Sequence, residues 1–314
     1  MKAKAPSRIA LAVLACGGVL LALAVAEGAA RLLPTPDLFA TRMAAFRDAA
    51  LEPDAELGWR AHPGARTTVG GVTYRFDAFG CRGAEPLAGD ARARVLIAGD
   101  SMALGWGVPE AETFAGRLAA MHPEWQVRNA GMVGFNLGQS VARVAELLPK
   151  WRPQRILLTY FANDAEAAAA TGADGLARSA LWRLVKPPLW SLAARAGLLP
   201  DVTTYHADLN APGSPGWQRV VAGMTQFAAL CRQGQAQCTV ALVPELQRQP
   251  YGLAAVHARV ADLARGLGLG VVDLAPALAD VPPRQLWVMP DDAHPNAEGH
   301  RRFAEALNSR LQTR

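Results

Sequence analysis

The stretch Arg94-Val-Leu-Ile-Ala98-Gly99-Asp100-Ser101 decides how the chain is read. Its first five residues are an almost uninterrupted apolar run, the pattern of a short strand covered on both faces. The run ends in Gly-Asp-Ser, and in open parallel sheets ligands gather outside the carboxyl ends of the strands. Ser101 therefore stands where a nucleophile is useful. Working outward, similar runs occur at 126–129, 155–160 (RILLTY), 239–243 (TVALV) and 270–273 (GVVD). Helix-period stretches lie between them at 111–121, 137–148, 217–231 and 252–267, and a last one at 297–311. The first of these starts about ten residues after Ser101. Strands separated by helices, with no hairpin turns between them, predict a parallel α/β sheet with helices on both faces, a three-layer α/β/α sandwich.

Three regions stand outside that rhythm. Ile9 to Ala26 carries no charge and follows Lys2, Lys4 and Arg8, with Glu27 after it. At ~1.5 Å rise per residue it is just long enough to cross a bilayer. Basic residues before the span predict a cytoplasmic N-terminus and an exported remainder. Residues 1–31 are thus expected to be a single-pass inner-membrane anchor, with the bulk of the chain periplasmic or outside. Ala24-Val25-Ala26 leaves cleavage and secretion as the alternative. Residues 32–92 contain Pro34, Pro36, Pro53 and Pro63 and a hairpin expected at 67–69 and 72–76 around Gly70-Gly71; they read as a pre-domain linker before a catalytic domain at 93–314. Residues 165–216 read as an insertion, a Leu-rich helical stretch that Pro187-Pro188 should break in two. It is expected either to cover the sandwich as a lid or, with Trp182 and Trp190 beside basic residues, to rest on the membrane.

Composition narrows the partners. A chain of 314 residues that is 51% hydrophobic and 19% charged supports a sizeable core and is not disordered. The net charge of +5 loses most of its excess with the three N-terminal cations, and no basic run follows. A nucleic-acid partner is therefore not expected. In an oxidising compartment Cys231 and Cys238, flanking a polar turn-like stretch, should form a disulfide, leaving Cys81 as a small buried hydrophobe.

Three further motifs share the strand-end position of Ser101. Asn129-Ala-Gly-Met-Val-Gly134 offers a glycine whose N–H a ligand can approach closely. Phe161-Ala-Asn163-Asp164 offers an amide to a developing oxyanion, with Asp164 in the plainer role of a turn or cap. Asp291-Asp292-Ala-His294-Pro295-Asn296 precedes the last helix pattern on what Pro295 predicts to be a loop. There a carboxylate can fold back to fix the imidazole tautomer. No Cys or Glu cluster accompanies it, so a metal is not expected.

With these four blocks in this order, the chain resembles the SGNH/GDSL hydrolase family, named for a Ser, Gly, Asn and His that match Ser101, Gly134, Asn163 and His294. The resemblance covers roughly 93–312. Gly105-Trp-Gly107-Val, His294-Pro-Asn-x-x-Gly-His300 and Phe79-Gly-Cys81-Arg82-Gly83 are similar to membrane-anchored bacterial members. Met102 departs from the Leu of the family name, Ala162 from a commoner Gly, and Cys81 from a commoner aromatic.

The resemblance implies a flavodoxin-like five-stranded sheet and a serine esterase or acylhydrolase acting through an acyl-enzyme. Ser101 would be nucleophile, His294 base and Asp291 its orienter; the family spacing favours Asp291 over the neighbouring Asp292. The N–H groups of Ser101 and Gly134 and the amide of Asn163 would form the oxyanion hole. No cofactor is implied, and the substrate would be an acyl ester, possibly an O-acetyl group, of an envelope glycan or lipid. The same constellation serves acyl transfer to a polysaccharide hydroxyl, and a non-catalytic envelope component retaining the fold is the third alternative. His300 is expected inside the last helix as a satisfied structural histidine.

Overall fold

The computed structural model describes residues 7–32, 38–83, 93–168 and 179–311. Helices α1 (Arg8–Leu32) and α2 (Phe39–Ala50) precede two hairpins, β1–β2 (Leu51–Asp54, Gly58–Ala61) and β3–β4 (Arg66–Val69, Val72–Arg75). There follow β5 (Ala93–Ala98), α3 (Ser101–Leu104), α4 (Phe114–Met121), β6 (Trp125–Asn129), α5 (Leu137–Trp151) and β7 (Arg155–Tyr160). Helices α6 (Ala180–Arg195), α7 (Val202–Leu209) and α8 (Pro215–Gln233) lead to β8 (Gln237–Leu242), α9 (Ala254–Gly266) and β9 (Gly270–Asp273). A last hairpin, β10–β11 (Trp287–Met289, Asp292–Pro295), and α10 (Ala297–Leu311) complete the chain.

The five apolar runs form one sheet in the order β6-β5-β7-β8-β9, every neighbouring pair parallel. This is the doubly wound order of flavodoxin-like folds. Strand alternation splits each run between two cores. Leu96, Leu158, Val240 and Leu242 join Val144 of α5, Phe227 of α8 and Val260 of α9 on one face. Val95, Ile97, Leu157 and Ala241 meet Leu118 of α4 and Phe303 of α10 on the other. Burial on both faces explains why these strands read as continuous apolar runs. With β5 between β6 and β7, the segments carrying Gly134 and Asn163 leave the sheet on either side of Ser101.

The chain divides into two compact units, Met1–Thr41 with Gly172–Leu199, and Arg42–Thr171 with Pro200–Arg314. The segment expected to be a linker before the catalytic domain is instead, from Arg42 on, part of the unit that holds the sheet. The reason is a set of buried polar ties. Asp77 and Arg128 of β6 form an ion pair at 2.6 Å with both side chains almost fully buried. Gln139 of α5 donates to Leu57 O at 2.6 Å, and Arg82 N–H donates to Asn129 O at 2.7 Å.

In the smaller unit, α6 packs against α1. Val13–Leu32 of α1 is long and apolar enough to cross a membrane, and almost all of it is exposed. Glu27 accepts hydrogen bonds from Ser179 Oγ (2.7 Å) and from the N–H groups of Ala180 and Leu181 (3.0 Å each), capping α6. The break expected at Pro187-Pro188 does not occur, and α6 runs through both prolines. The missing N–H donors and the clash cost stability, but a packed neighbour outweighs local propensity in deciding whether a helix forms. The insertion is thus not one element: α6 groups with α1, whereas α7 and α8 group with the sheet.

Cys231 and Cys238 form the expected disulfide between the end of α8 and the start of β8, and Cys81 is buried and free. Burial pushes its thiol up to about 12, so it stays neutral. The short closed loop is worth about 2.5 kcal/mol in the chain-entropy model. Replacing Cys231 and Cys238 together by Ser should therefore lower unfolding stability in urea by roughly that amount without altering the far-UV circular dichroism of the native protein.

Candidate active site

Ser101 owes its position to Gly99 and Asp100. Gly99 has φ +150°, and a Cβ there would stand 1.9 Å from Thr159 Oγ1 on β7. Only glycine lets the chain turn this close to the neighbouring strand. Asp100 Oδ1 then accepts the Met102 N–H at 2.9 Å and caps α3. Helix thus begins at Ser101 itself, not ten residues later, because the cap supplies the start that hydrophobic periodicity does not show.

His294 comes from the other end of the sequence. Asp292–Pro295 is not the expected loop but β11, paired antiparallel with β10 across a turn at Pro290 and Asp291. In an extended strand residues two apart share a face. The Nδ1 of His294 accordingly meets Asp292 Oδ1 at 2.5 Å, and its Nε2 meets Ser101 Oγ at 2.8 Å. Asp291, expected as the orienting carboxylate, sits in the turn; its Oδ1 faces Arg42 Nη2 at 3.3 Å. The three-residue spacing fails here because it suits a folded-back loop, whereas the backbone is extended.

The Asp292 carboxylate is nearly inaccessible, 3% exposed. Trp106 Nε1–H donates to its Oδ2 at 2.9 Å, and Arg42 Nη2 stands 3.5 Å from the same oxygen. Burial opposes ionisation, but the bonds from His294 and Trp106 and the facing imidazole outweigh it and hold the carboxyl below its ordinary range. With Asp292 ionised, Nδ1 carries the proton and Nε2 is free to accept one from Ser101 Oγ.

The segment after β6 lies along the nucleophile turn. Ala130 N–H donates to Ile97 O at 2.7 Å, Met132 N–H to Gly99 O at 3.1 Å, and the Asn129 amide to Ala103 O at 2.7 Å. Gly134 follows with φ +71°, exposed. Among the described residues nothing accepts its N–H. Asn163 is half-buried on the turn after β7, and its Oδ1 has no hydrogen-bond partner. Asp164 Oδ2 closes that turn by accepting the Phe161 N–H at 2.8 Å, the plain role expected of it.

Three further residues support the site, and none of their contacts is signalled by local sequence. Arg42 and Trp106 reach Asp292 from far away in the chain. Arg82, stacked 4.5 Å over the Tyr74 ring, donates to Leu104 O, Gly105 O and Val108 O at 2.5–2.6 Å and pins the segment that carries Trp106. Only their motif neighbours, Gly105-Trp-Gly107 and Cys81-Arg82-Gly83, mark two of them. His300 lies within α10 as expected but is only half satisfied: Nδ1 accepts the Phe114 N–H at 3.2 Å, while Nε2 has no partner. Burial pushes it down to about 3, so it is neutral. Among the described residues no cluster of three or more metal-ligating side chains occurs.

Beneath the site, Asp100 Oδ2 and Asp164 Oδ1 are buried and have no hydrogen-bond partner among the described residues. Burial raises Asp100 to about 6 against the opposing Met102 N–H and His294. Burial and the charge of Asp100 raise Asp164 well above its ordinary value. The native state therefore holds protons that the unfolded chain releases near pH ~4. This contribution to stability is full below that pH and is lost as pH rises through about 6. Asp164→Asn, which removes one of the two carboxyls, should flatten the fall of melting temperature between about pH 4 and pH 8 relative to the unsubstituted protein.

A family model for GDSL-like lipase/acylhydrolase proteins matches residues 97–302, a span containing Ser101, Gly134, Asn163, Asp292 and His294. No curated protein matches the chain. Solved structures similar to it include TesA, at 16% identity and a TM-score of 0.44, covering 70% of this chain and 98% of that one. A catalytic mutant of an acetylxylan esterase from Geobacillus stearothermophilus gives 14% identity and a TM-score of 0.48, with 72% and 97% covered. A member of the lipolytic G-D-S-L family from Veillonella parvula gives 14% and 0.44, with 71% and 100% covered. With two thirds of its length matched by the family model, and a five-stranded parallel sheet of the fold that family implies, this chain belongs to the GDSL-like lipase/acylhydrolase family, the SGNH hydrolases, and is a hydrolase of ester bonds.

Proposed function

We propose that the protein is a serine esterase that removes an acyl group, such as O-acetyl, from a glycan or lipid of the cell envelope through an acyl-enzyme on Ser101. The observation that carries the reading is the unbroken hydrogen-bond line from Ser101 Oγ to His294 Nε2, and from His294 Nδ1 to Asp292. Ser101 Oγ attacks the ester carbonyl carbon while its proton passes to His294 Nε2. The N–H groups of Ser101 and Gly134 and the amide of Asn163 hold the oxyanion. As the tetrahedral intermediate collapses, the C–O bond to the alcohol breaks and His294 returns the proton to the leaving oxygen. Water then attacks the acyl-enzyme, giving its proton to His294; the acid departs and Ser101 Oγ regains a proton. Asp292 stays ionised throughout and supports the imidazolium.

The envelope setting rests on α1. An almost fully exposed apolar span behind Lys2, Lys4 and Arg8 supports an anchor in the inner membrane with the sheet-bearing unit exported. A disulfide in the same exported unit agrees with an oxidising compartment.

Hydrolysis of p-nitrophenyl acetate tests the assignment. Ser101→Ala should abolish turnover, and full activity in that variant would sink the reading. Asp292→Asn should lower kcat by about 10³–10⁴, the cost of losing the correct tautomer. Asp291→Asn, which loses a half-exposed ion pair, should change it by no more than roughly fivefold. Asn163→Ala should lower kcat by about 10²–10³ with the melting temperature nearly unchanged.

A further inference from the structure

Trp59, on β2, is fixed beside the glycine that offers its N–H to the reaction. Its Nε1–H donates to Val133 O at 3.0 Å, and its ring lies 5.9 Å from that of Phe135. A Cβ built on Gly134 would come 3.3 Å from Trp59 Cζ2 and 3.7 Å from Arg47 Nη2. The edge of the indole and the guanidinium therefore border Gly134 directly. The ring is half-exposed, so it presents apolar surface to whatever approaches that glycine.

Arg47 differs from the other arginines around it. Arg42 faces Asp291 and Asp292, Arg60 faces Asp54 and Glu146, and Arg143 faces Glu146. Arg47 is exposed, and among the described residues no hydrogen bond or carboxylate engages it; the Trp59 ring lies beside it, 5.8 Å from the guanidinium carbon to the centroid. A cation held beside an aromatic plane and left without a counter-ion is a recognition element for a ligand that brings both a flat apolar face and an anion.

We infer that Arg47 and Trp59 form a subsite for an acidic sugar of the acyl-bearing substrate, the pyranose resting its C–H face on the indole and its carboxylate on the guanidinium. This deepens the esterase reading and rests on it. With the carbonyl oxygen at Gly134, a substrate seated on Ser101 lies beside the surface that Trp59 and Arg47 border. A sugar ring uses both groups at once; a glycerolipid headgroup brings the charge without the flat ring face.

Binding separates this subsite from catalysis. The full-length Ser101→Ala protein in detergent is titrated calorimetrically with oligogalacturonate and with a neutral galactan oligomer of equal length. Oligogalacturonate should bind more tightly, its affinity should fall as salt is raised, and adding Arg47→Gln should weaken it about tenfold. Trp59→Ala should weaken both oligomers. In the active protein, Arg47→Gln should reduce kcat/KM for acetylated polygalacturonate relative to acetylated glucomannan by a similar factor, through KM. Arg232→Gln, on the exposed end of α8, should leave that ratio unchanged. Equal binding of the two oligomers, or loss confined to dihexanoylphosphatidylglycerol hydrolysis in Arg47→Gln, overturns the proposal. Preserved oligogalacturonate binding with no p-nitrophenyl acetate turnover would instead remove the esterase reading.

Discussion

A carboxylate that is 3% exposed needs its charge met on every side, and Asp292 obtains its partners from its own hairpin and from two distant stretches of chain. His294 comes from the same hairpin, Trp106 from the segment after the nucleophile helix, and Arg42 from α2, about 250 residues upstream. Removing any one would leave a buried anion less well compensated, which is costly in a low-dielectric interior. This requirement adds to the buried ties of Leu57, Asp77 and Arg82 in holding residues from 42 onward within the sheet-bearing unit. The buried Arg82 guanidinium, which burial lowers to about 10, serves the same end by fixing the carbonyls around Trp106.

The sheet and the strand-end placing of Ser101 were legible because both depend on short-range pattern. Strands buried on both faces read as apolar runs, and Ser101, Gly134 and Asn163 follow three of them directly. The orienting carboxylate was not, because two adjacent aspartates differ only in backbone geometry. A pattern of Asp291-x-x-His294 and a pattern of Asp292-x-His294 coexist in the same six residues, and strand pairing across Met289 and Asp292 selects the second. The contacts of Arg42 and Trp106 with Asp292 were invisible for another reason. Their partner lies 250 and 186 residues away, and no local periodicity encodes such a contact. Pro187-Pro188 misled in the opposite direction, since a strong local signal yielded to packing within the small unit.

The small unit follows its own logic. Glu27 is the one acid within the apolar helix, and it is met by Arg31 at 2.8 Å as well as by the three donors at the start of α6. A carboxylate at a helix N-terminus also meets the positive end of the backbone dipole. The residue that closes the apolar run in sequence thus joins the two helices in space.

Ser101 and the imidazole that faces it are 193 residues apart, and the hairpin that brings His294 follows all five strands of the sheet in sequence. While the polypeptide is being synthesised, Ser101 leaves the ribosome long before His294 can reach it. Only when the terminal hairpin folds back onto β5 does the hydroxyl gain an acceptor for its proton. A product that ends before β11 therefore keeps Ser101 without the imidazole that faces it.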